Sequence, residues 1–541
     1  MNIEIAPSGF VFSEPHFSNE RFACWSRGYF VVDGCMVWGD DLCRWAVKAA
    51  ADGLLISSIP VLSGVFQLSI VDRFENKAIF IQDRWGSYPV FWSHDAGSWR
   101  FSDSAEPFLT SAGRMMRHDA VAEILTFGHV MGNKTLVDGV NELIPHHWCS
   151  CQLDGFGNID FKQTDYWTYH LNFPSADFRA SSHAFIDLWH QRMKIFADGV
   201  QRSGKVCYTP LSAGLDSRLI AFELDSLSVP QINLTFGSGI ESREINVAST
   251  VSRSLRHTLG HYVMYLNEAN FRHLISSAPG PYRLTTAHFA EKDLWFPSHF
   301  NHEVGFFFSG HSGDFMAGSH LRTRMKYWKS VDSVIEYIVR FKGTPLGKHL
   351  FFNDNDYRDL ITASLTECLC GYPDWLNAFM NWDLQQRQRR FIMRSALSQN
   401  PQEVPLVVMP FFDYQLFDFF VYLPFEFLLD TKLYRHAQMD HLYRGVSPFD
   451  RLPANGRRVK PLISGTVGEY GYKLASLFDR GKKVRMYDET IDWQKISGDF
   501  VLPDCLPAKW NVPRFLGDNS RMYYGLSEFT KMFNQFNNNL K

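Results

Sequence analysis

Leu211-Ser212-Ala213-Gly214-Leu215-Asp216-Ser217-Arg218 follows an apolar, strand-like run, Val206 to Leu211, and precedes a helix-like one starting at Ser217. A strand ending in small residues lets backbone N–H groups approach an anion, and the helix that begins there adds the positive end of its dipole. Ser212 and Ser217 supply hydroxyls, Gly214 backbone freedom and Asp216 a hard oxygen for Mg²⁺. The same stretch also fits a plain N-cap, in which a serine closes the first helical turn and no ligand is involved.

A second segment sharpens the reading. Val304-Gly305-Phe306-Phe307-Phe308 reads as a buried strand and runs into Ser309-Gly310-His311-Ser312-Gly313-Asp314. Ligand sites in open α/β sheets lie at the carboxyl ends of strands, so two such ends, each with an aspartate, can hold one Mg²⁺ and one triphosphate between them. Around them strand and helix alternate: Val206 to Leu211, a helix from Ser217, a strand Gln231 to Phe236, a helix Ser242 to Leu259, and strands Tyr262 to Leu266 and Val304 to Ser309. That alternation predicts a parallel sheet covered on both faces. Residues from Lys329 to about Tyr443 read as helical, interrupted at Pro345, Pro373, Pro401 and Pro405.

Ser212 to Ser217 resembles the S-G-G-x-D-S pyrophosphate loop of the asparagine synthetase family (class B, glutamine-hydrolysing type), and Ser309 to Asp314 resembles that family's S-G-E-G-x-D-E motif. Met409-Pro410-Phe411-Phe412-Asp413, Leu423-Pro424, Lys432 and Arg435 are similar to its P-F-L-D, L-P and K-x-x-R series. Upstream, Gly64-Val65-Phe66, Asp72, the run Asp83 to Trp92 and Phe101-Ser102-Asp103 resemble the glutaminase-like domain that precedes such synthetase domains. The resemblance implies an N-terminal Ntn-hydrolase-like αββα sandwich over residues 1–175. It implies a C-terminal doubly wound parallel sheet of the ATP pyrophosphatase (PP-loop) type, with added helices, over 176–470. Residues 471–541 stay an unplaced extension. Short β-like runs such as Tyr29 to Val32, Val65 to Val71 and Lys77 to Gln82 suit the first of these, residues 119–170 read as small bridging strands, and a helical pattern starts at Ser182.

Three departures limit what the resemblance carries over. Glutaminases of this class act through an N-terminal cysteine, whereas this chain begins Met1-Asn2-Ile3, and Cys24 reads as part of a buried apolar stretch. The glutaminase-like domain is therefore expected to be inactive. Ala213 replaces a loop glycine, which is tolerable at negative φ. His311 and Phe315 stand where the family has glutamates, so aspartate is not the expected substrate; amide-forming relatives and cyclases carry a G-H-G-G-D-like version that this chain resembles more.

The chemistry implied is adenylation: a carboxylate attacks the α-phosphorus of ATP, pyrophosphate leaves, and an amine attacks the acyl-AMP to form an amide. Such catalysis is largely positioning and charge stabilisation. Asp216 and Asp314 would hold Mg²⁺. Ser212, Ala213, Gly214, Leu215 and Ser217 would hold the pyrophosphate, while Phe236, Ser309 and Gly310 would face adenine. Lys460, with Arg458, is the expected cation on the phosphates or else part of a solvated basic loop. His311 is either a general base for the amine or a structural hydrogen-bonding residue. The amine would be ammonia, free or from a partner glutaminase, or an amine of the substrate itself. Two further readings stand beside this ligase: an intramolecular cyclase of the peptide or β-lactam type, and a binding or scaffold protein that has lost the chemistry.

Composition bounds these readings. With 541 residues and 45% apolar content, the chain can bury the cores of roughly two to four domains. A net charge of −3 gives no reason to expect nucleic acid as a partner, and no apolar run is long enough to span a membrane. Nine cysteines, with one-residue-spaced pairs at Cys149/Cys151 and Cys368/Cys370, fit neither zinc nor redox spacing and suggest reduced thiols in a cytoplasmic protein. Gly343 to Lys348 lacks the Walker spacing and reads as a loop, and His299 with His302 lacks a third metal ligand.

Overall fold

The computed structural model describes residues 1–109, 114–237, 243–265, 284–286, 304–398 and 406–452, with 503, 505, 507, 526, 527 and 529–535. Its first part is antiparallel. In chain order the strands are β1 (Asn2–Ala6), β2 (Gly9–Phe12), β3 (Phe17–Ser18), β4 (Phe22–Val32), β5 (Cys35–Trp38) and β6 (Ser63–Asp72). Then come β7 (Lys77–Gln82), β8 (Phe91–Asp95), β9 (Ser98–Ser102), β10 (Asn141–Glu142), β11 (His147–Leu153) and β12 (Ile159–Asp165). They form two sheets, ordered β10-β8-β9-β1-β2 and β12-β11-β7-β6-β4-β3, with β5 added on β4.

Period-two alternation along β4 shows how the layers stack. Ala23 and Trp25 join Ile3, Ile5, Phe80, Phe101 and Cys149 in the apolar layer between the sheets. Phe22, Cys24 and Phe30 point the other way, onto Leu42, Cys43, Ala46 and Val47 of the Asp40–Ala51 helix. On the far side of the five-stranded sheet, Phe91 meets Phe108 of the Glu106–Leu109 helix edge-on at 6.4 Å. The order is helix, sheet, sheet, helix.

The second part is a parallel sheet of β13 (Val206–Pro210), β14 (Gln231–Gly237), β15 (Thr258–Tyr265), β16 (Val304–Phe308) and β17 (Leu406–Val408). Its order is β15-β14-β13-β16-β17. From β13 the chain moves outward through β14 and β15 and then returns to place β16 on β13's other edge. The crevice between the ends of β13 and β16 is thus the topological switch point, the usual ligand position in such sheets.

Several element boundaries differ from those the sequence suggests. The helix over Arg243–Ser254 stops short of Leu259, because the Asp225 carboxylate accepts from His257 N at 2.7 Å and β15 begins at Thr258. Residues 119–170 are not all small strands: His118–Phe127 is a helix, stopped by left-handed Gly128. Pro345 opens a helix rather than interrupting one, at the N1 position proline tolerates, and Thr344 caps it through Gly347 N. Gly343 to Lys348 is therefore largely the start of a capped helix. β17 has no counterpart among the strands expected from sequence.

Candidate functional site

At the end of β13 the chain turns through Leu211 to Gly214 and starts the Leu215–Ser226 helix. The turn is tied internally. Ser217 Oγ accepts from Ser212 N at 3.1 Å and pairs with Ser212 Oγ at 2.9 Å, while Ser212 Oγ accepts from Gly214 N at 3.0 Å. Arg218, wholly buried, donates from Nε to the Gly214 carbonyl at 3.0 Å and so holds the loop from beneath. Ala213 stays out of the left-handed region, so its methyl group is accommodated.

The turn after β16 lies directly against this helix start. A Cβ on Gly310 would come within 3.3 Å of Ser217 N, and one on Gly313 within 2.8 Å of Asp216 Cγ. At Gly313 only a glycine allows so close an approach, while at Gly310 a methyl group would be tight. As a result Asp216 Oδ2 accepts from the backbone N of Asp314 at 3.0 Å, and Asp216 Oδ1 accepts from Tyr434 Oη at 2.8 Å. Burial and the neighbouring Asp314 carboxylate push the Asp216 carboxyl up to about 7, against the two hydrogen bonds. The two sequence segments thus meet as a pair of acidic side chains at the switch point, one partly buried and one exposed.

His311 sits at the rim, its Nδ1 2.6 Å from Ser309 Oγ. Surrounding protein lowers its pKa, with Asp314 acting in the opposite sense. Phe315 turns away into the core, against His320, and offers the site no polar group. Ser309 is buried and Gly310 partly so; Phe236 lies on β14, with only its backbone described. Lys460 and Arg458 lie outside the described residues, as do His299 and His302.

Tyr434 is the residue sequence reading missed. It lies between Lys432 and Arg435 of the K-x-x-R stretch, whose charges drew attention, yet Leu433 and Tyr434 are the buried positions of that helix and Lys432 is exposed. Asp413, in the P-F-F-D stretch, has a docking role. Its Oδ2 accepts from Ser63 Oγ at 2.8 Å and from Arg192 Nε at 2.9 Å, while Oδ1 caps the Tyr414–Val421 helix.

In the antiparallel part, Asp83 organises the Asp83-Arg84-Trp85-Gly86-Ser87 turn. Its carboxylate accepts from Phe66 N at 2.7 Å, Trp85 N at 2.9 Å and Ser87 N at 3.1 Å, and also from Ser87 Oγ. Residues 55–167 match the family model of a glutamine amidotransferase domain. The match points to amide-transfer chemistry for this part of the chain. Cys24 lies outside the matched residues, near the start of β4, with hydrogen-bonded strands on both sides and fully buried, and burial raises its thiol well above the usual range.

No curated protein sequence matches the chain. Among solved structures, it is similar to the allosteric regulatory enzyme of purine biosynthesis, at 10% identity and a TM-score of 0.19, covering 46% of this chain and 61% of that one. It is also similar to the glutamine phosphoribosylpyrophosphate (PRPP) amidotransferase from B. subtilis complexed with ADP and GMP, at 10% identity and a TM-score of 0.18, covering 46% and 62%. The chain therefore spans about three-fifths of the length of these two structures. Among the described residues, no helix is long and apolar enough to cross a membrane.

Proposed function

We propose that this chain is an ATP-dependent amide-forming enzyme of the asparagine synthetase-like kind, with its amide-forming site at the ends of β13 and β16. A carboxylate is activated as its acyl-adenylate with loss of pyrophosphate, and an amine then displaces AMP to give the amide. The observation that carries this reading is the convergence of Asp216 and Asp314. The Asp314 backbone N donates to Asp216 Oδ2 at 3.0 Å, and burial first, with the Asp314 carboxylate second, raises the Asp216 carboxyl to about 7, a strain that a divalent cation would relieve.

The donor set fits Mg²⁺: hard carboxylate oxygens from Asp216 and Asp314, beside a hydroxyl- and amide-lined turn. When bound, the ion would neutralise phosphate charge. The residues' own work is otherwise positional. Ser212, Ser217 and the amides of the Ala213 to Leu215 turn would cradle the pyrophosphate, and Arg218 fixes that turn. Ser309, Gly310 and Phe236 would line the adenine side. Lys460 and Arg458 would supply the cation on the phosphates, and His311 would take the proton from the attacking amine.

The substrate would not be aspartate, since His311 stands where the family's first glutamate helps handle that substrate. The amine is ammonia, free or from a partner glutaminase, or an amine of the substrate itself. Division at 175/176 and 470/471 into amidotransferase domain, nucleotide domain and extension belongs to the same reading. Calorimetry of ATP binding with and without Mg²⁺ tests it on the wild type, Asp216→Ala and Asp314→Ala. Metal-dependent binding that is lost in both variants is expected; a wild type that binds no ATP in Mg²⁺ would overturn the proposal.

A further inference from the structure

At the open end of the β11–β12 ribbon three metal-ligating side chains converge. His147 and Asp165 are direct cross-strand partners, and His146 precedes β11 by one residue. One ring nitrogen of each histidine and one Asp165 oxygen all lie within 4.8 Å of one another, with His146 Nε2 3.9 Å from Asp165 Oδ1. None of the three takes part in the site at β13 and β16.

Each side chain is oriented by its neighbours. His147 Nδ1 lies 2.8 Å from the Pro145 carbonyl, which requires Nδ1 to carry the proton and leaves Nε2 with its lone pair free for a ligand. This is the arrangement by which a backbone carbonyl fixes the tautomer of a metal-binding histidine. Asp165 Oδ1 accepts from Trp167 N at 3.2 Å, which fixes the carboxylate. His146 is pinned through its backbone, donating to the Asp83 carbonyl at 3.1 Å and accepting from Tyr166 N at 3.1 Å.

His146 also adopts φ 53°, a left-handed conformation uncommon for a residue with a Cβ. A glycine would sit there without strain, so the histidine side chain is held at a cost at a position whose backbone does not favour it. Its Nδ1 is buried without a well-formed hydrogen bond. Arg389, the nearby cation that would oppose a metal, is itself paired with Glu142 at 3.2 Å.

We propose that His146, His147 and Asp165 form a binding site for one divalent transition metal of the zinc class. Two imidazoles and a carboxylate match the ligand preference of Zn²⁺, and Asp165, half exposed, gives an entry path. Three protein ligands leave a fourth tetrahedral position for water. The metal would clip the end of the ribbon where the chain leaves towards Trp167, whose ring lies 6.1 Å from that of His146.

The test uses the full chain without an affinity tag, stripped with chelator. Zn²⁺ is titrated by calorimetry, and Co²⁺ is followed by its visible d–d absorption. One saturable equivalent is expected in the wild type and in Asp216→Ala. His146→Gly and Asp165→Asn should each weaken it by at least about tenfold, while circular dichroism stays unchanged and the glycine variant melts no lower than wild type. Absence of saturable binding in the wild type, or undiminished binding in either variant, would overturn the proposal. Because Mg²⁺-ATP binding is scored at different residues, its failure and the failure of this site are distinguishable.

Discussion

Asp216→Asn tests the electrostatics of the β13–β16 site directly. In the folded chain Asp216 titrates near 7 instead of the ordinary 3.8, first because it is buried and second because Asp314 is close. Between those values the folded state holds a proton that the unfolded state has released. Stability from this group is therefore greatest at low pH and is lost as pH rises towards 7. At about 1.4 kcal/mol per pH unit the full difference is at most about 4 kcal/mol. Asp216 is partly exposed, and solvent screening reduces this to roughly 1–3 kcal/mol.

Asparagine keeps the shape, since its amide oxygen can accept from Asp314 N while its NH₂ donates to Tyr434 Oη. The variant should be more stable than wild type by that amount at pH 8 in chelator, and equal to it at about pH 2.5, where Asp216 is protonated in both states. Mg²⁺ at pH 8 should raise the melting temperature of the wild type and leave the variant unmoved. Thermal denaturation at the two pH values, with and without Mg²⁺, reads all of this. Equal stability in chelator at pH 8, together with equal Mg²⁺ shifts, would refute the reasoning.

Two further substitutions probe neighbouring parts of the argument. Gly313→Ala places a methyl group 2.8 Å from Asp216 Cγ and 2.9 Å from Phe411 Cζ, so it should displace Asp216 and weaken Mg²⁺-ATP binding by about tenfold or more, whereas Gly310→Ala, at 3.3 Å from Ser217 N, should have the smaller effect by the same calorimetry. Glu142→Gln leaves three buried guanidinium groups without their carboxylate and should cost about 3–5 kcal/mol in denaturant unfolding, with Glu142→Asp intermediate.

What could be read from sequence was local, and what could not was long-range. Val65 to Val71 and Lys77 to Gln82 announce strands because apolar and β-branched residues dominate them between turn signals, and the structure has β6 and β7 there. The two strand-to-glycine turns were legible for the same reason: small residues after an apolar run have few uses besides a close approach. Tyr434 was not legible, since nothing in a Leu-Tyr pair says which carboxylate the hydroxyl will meet 218 residues away. The same holds for the zinc-class cluster, where His146 and His147 gain Asp165 only through the register of β11 on β12. β17 escaped because a three-residue strand is too short to show a period.

The antiparallel and parallel parts are joined by buried polar groups as well as by apolar packing, and this bears on how the chemistry must be tested. Glu142 of β10 accepts from Arg390 at 2.8 Å and from Arg389 at 3.2 Å, and it also pairs with Arg394; these groups have almost no solvent exposure. Trp85 Nε1 donates to the Phe412 carbonyl at 2.8 Å, Met409 N donates to Tyr29 Oη at 3.1 Å, and Ser63 shares Asp413 with Arg192. Cutting the chain between the two parts would leave those charges and donors without partners, at a cost of several kcal/mol for the arginines alone. That is comparable to the whole stability of an ordinary domain. The residues that position β17 and the turn after it, and through β17 the edge of β16, are thus held in part by the amidotransferase-domain side. The antiparallel and parallel parts must be kept together for the Asp216–Asp314 geometry to hold, and an isolated parallel-sheet fragment that fails to bind ATP would say nothing about the site.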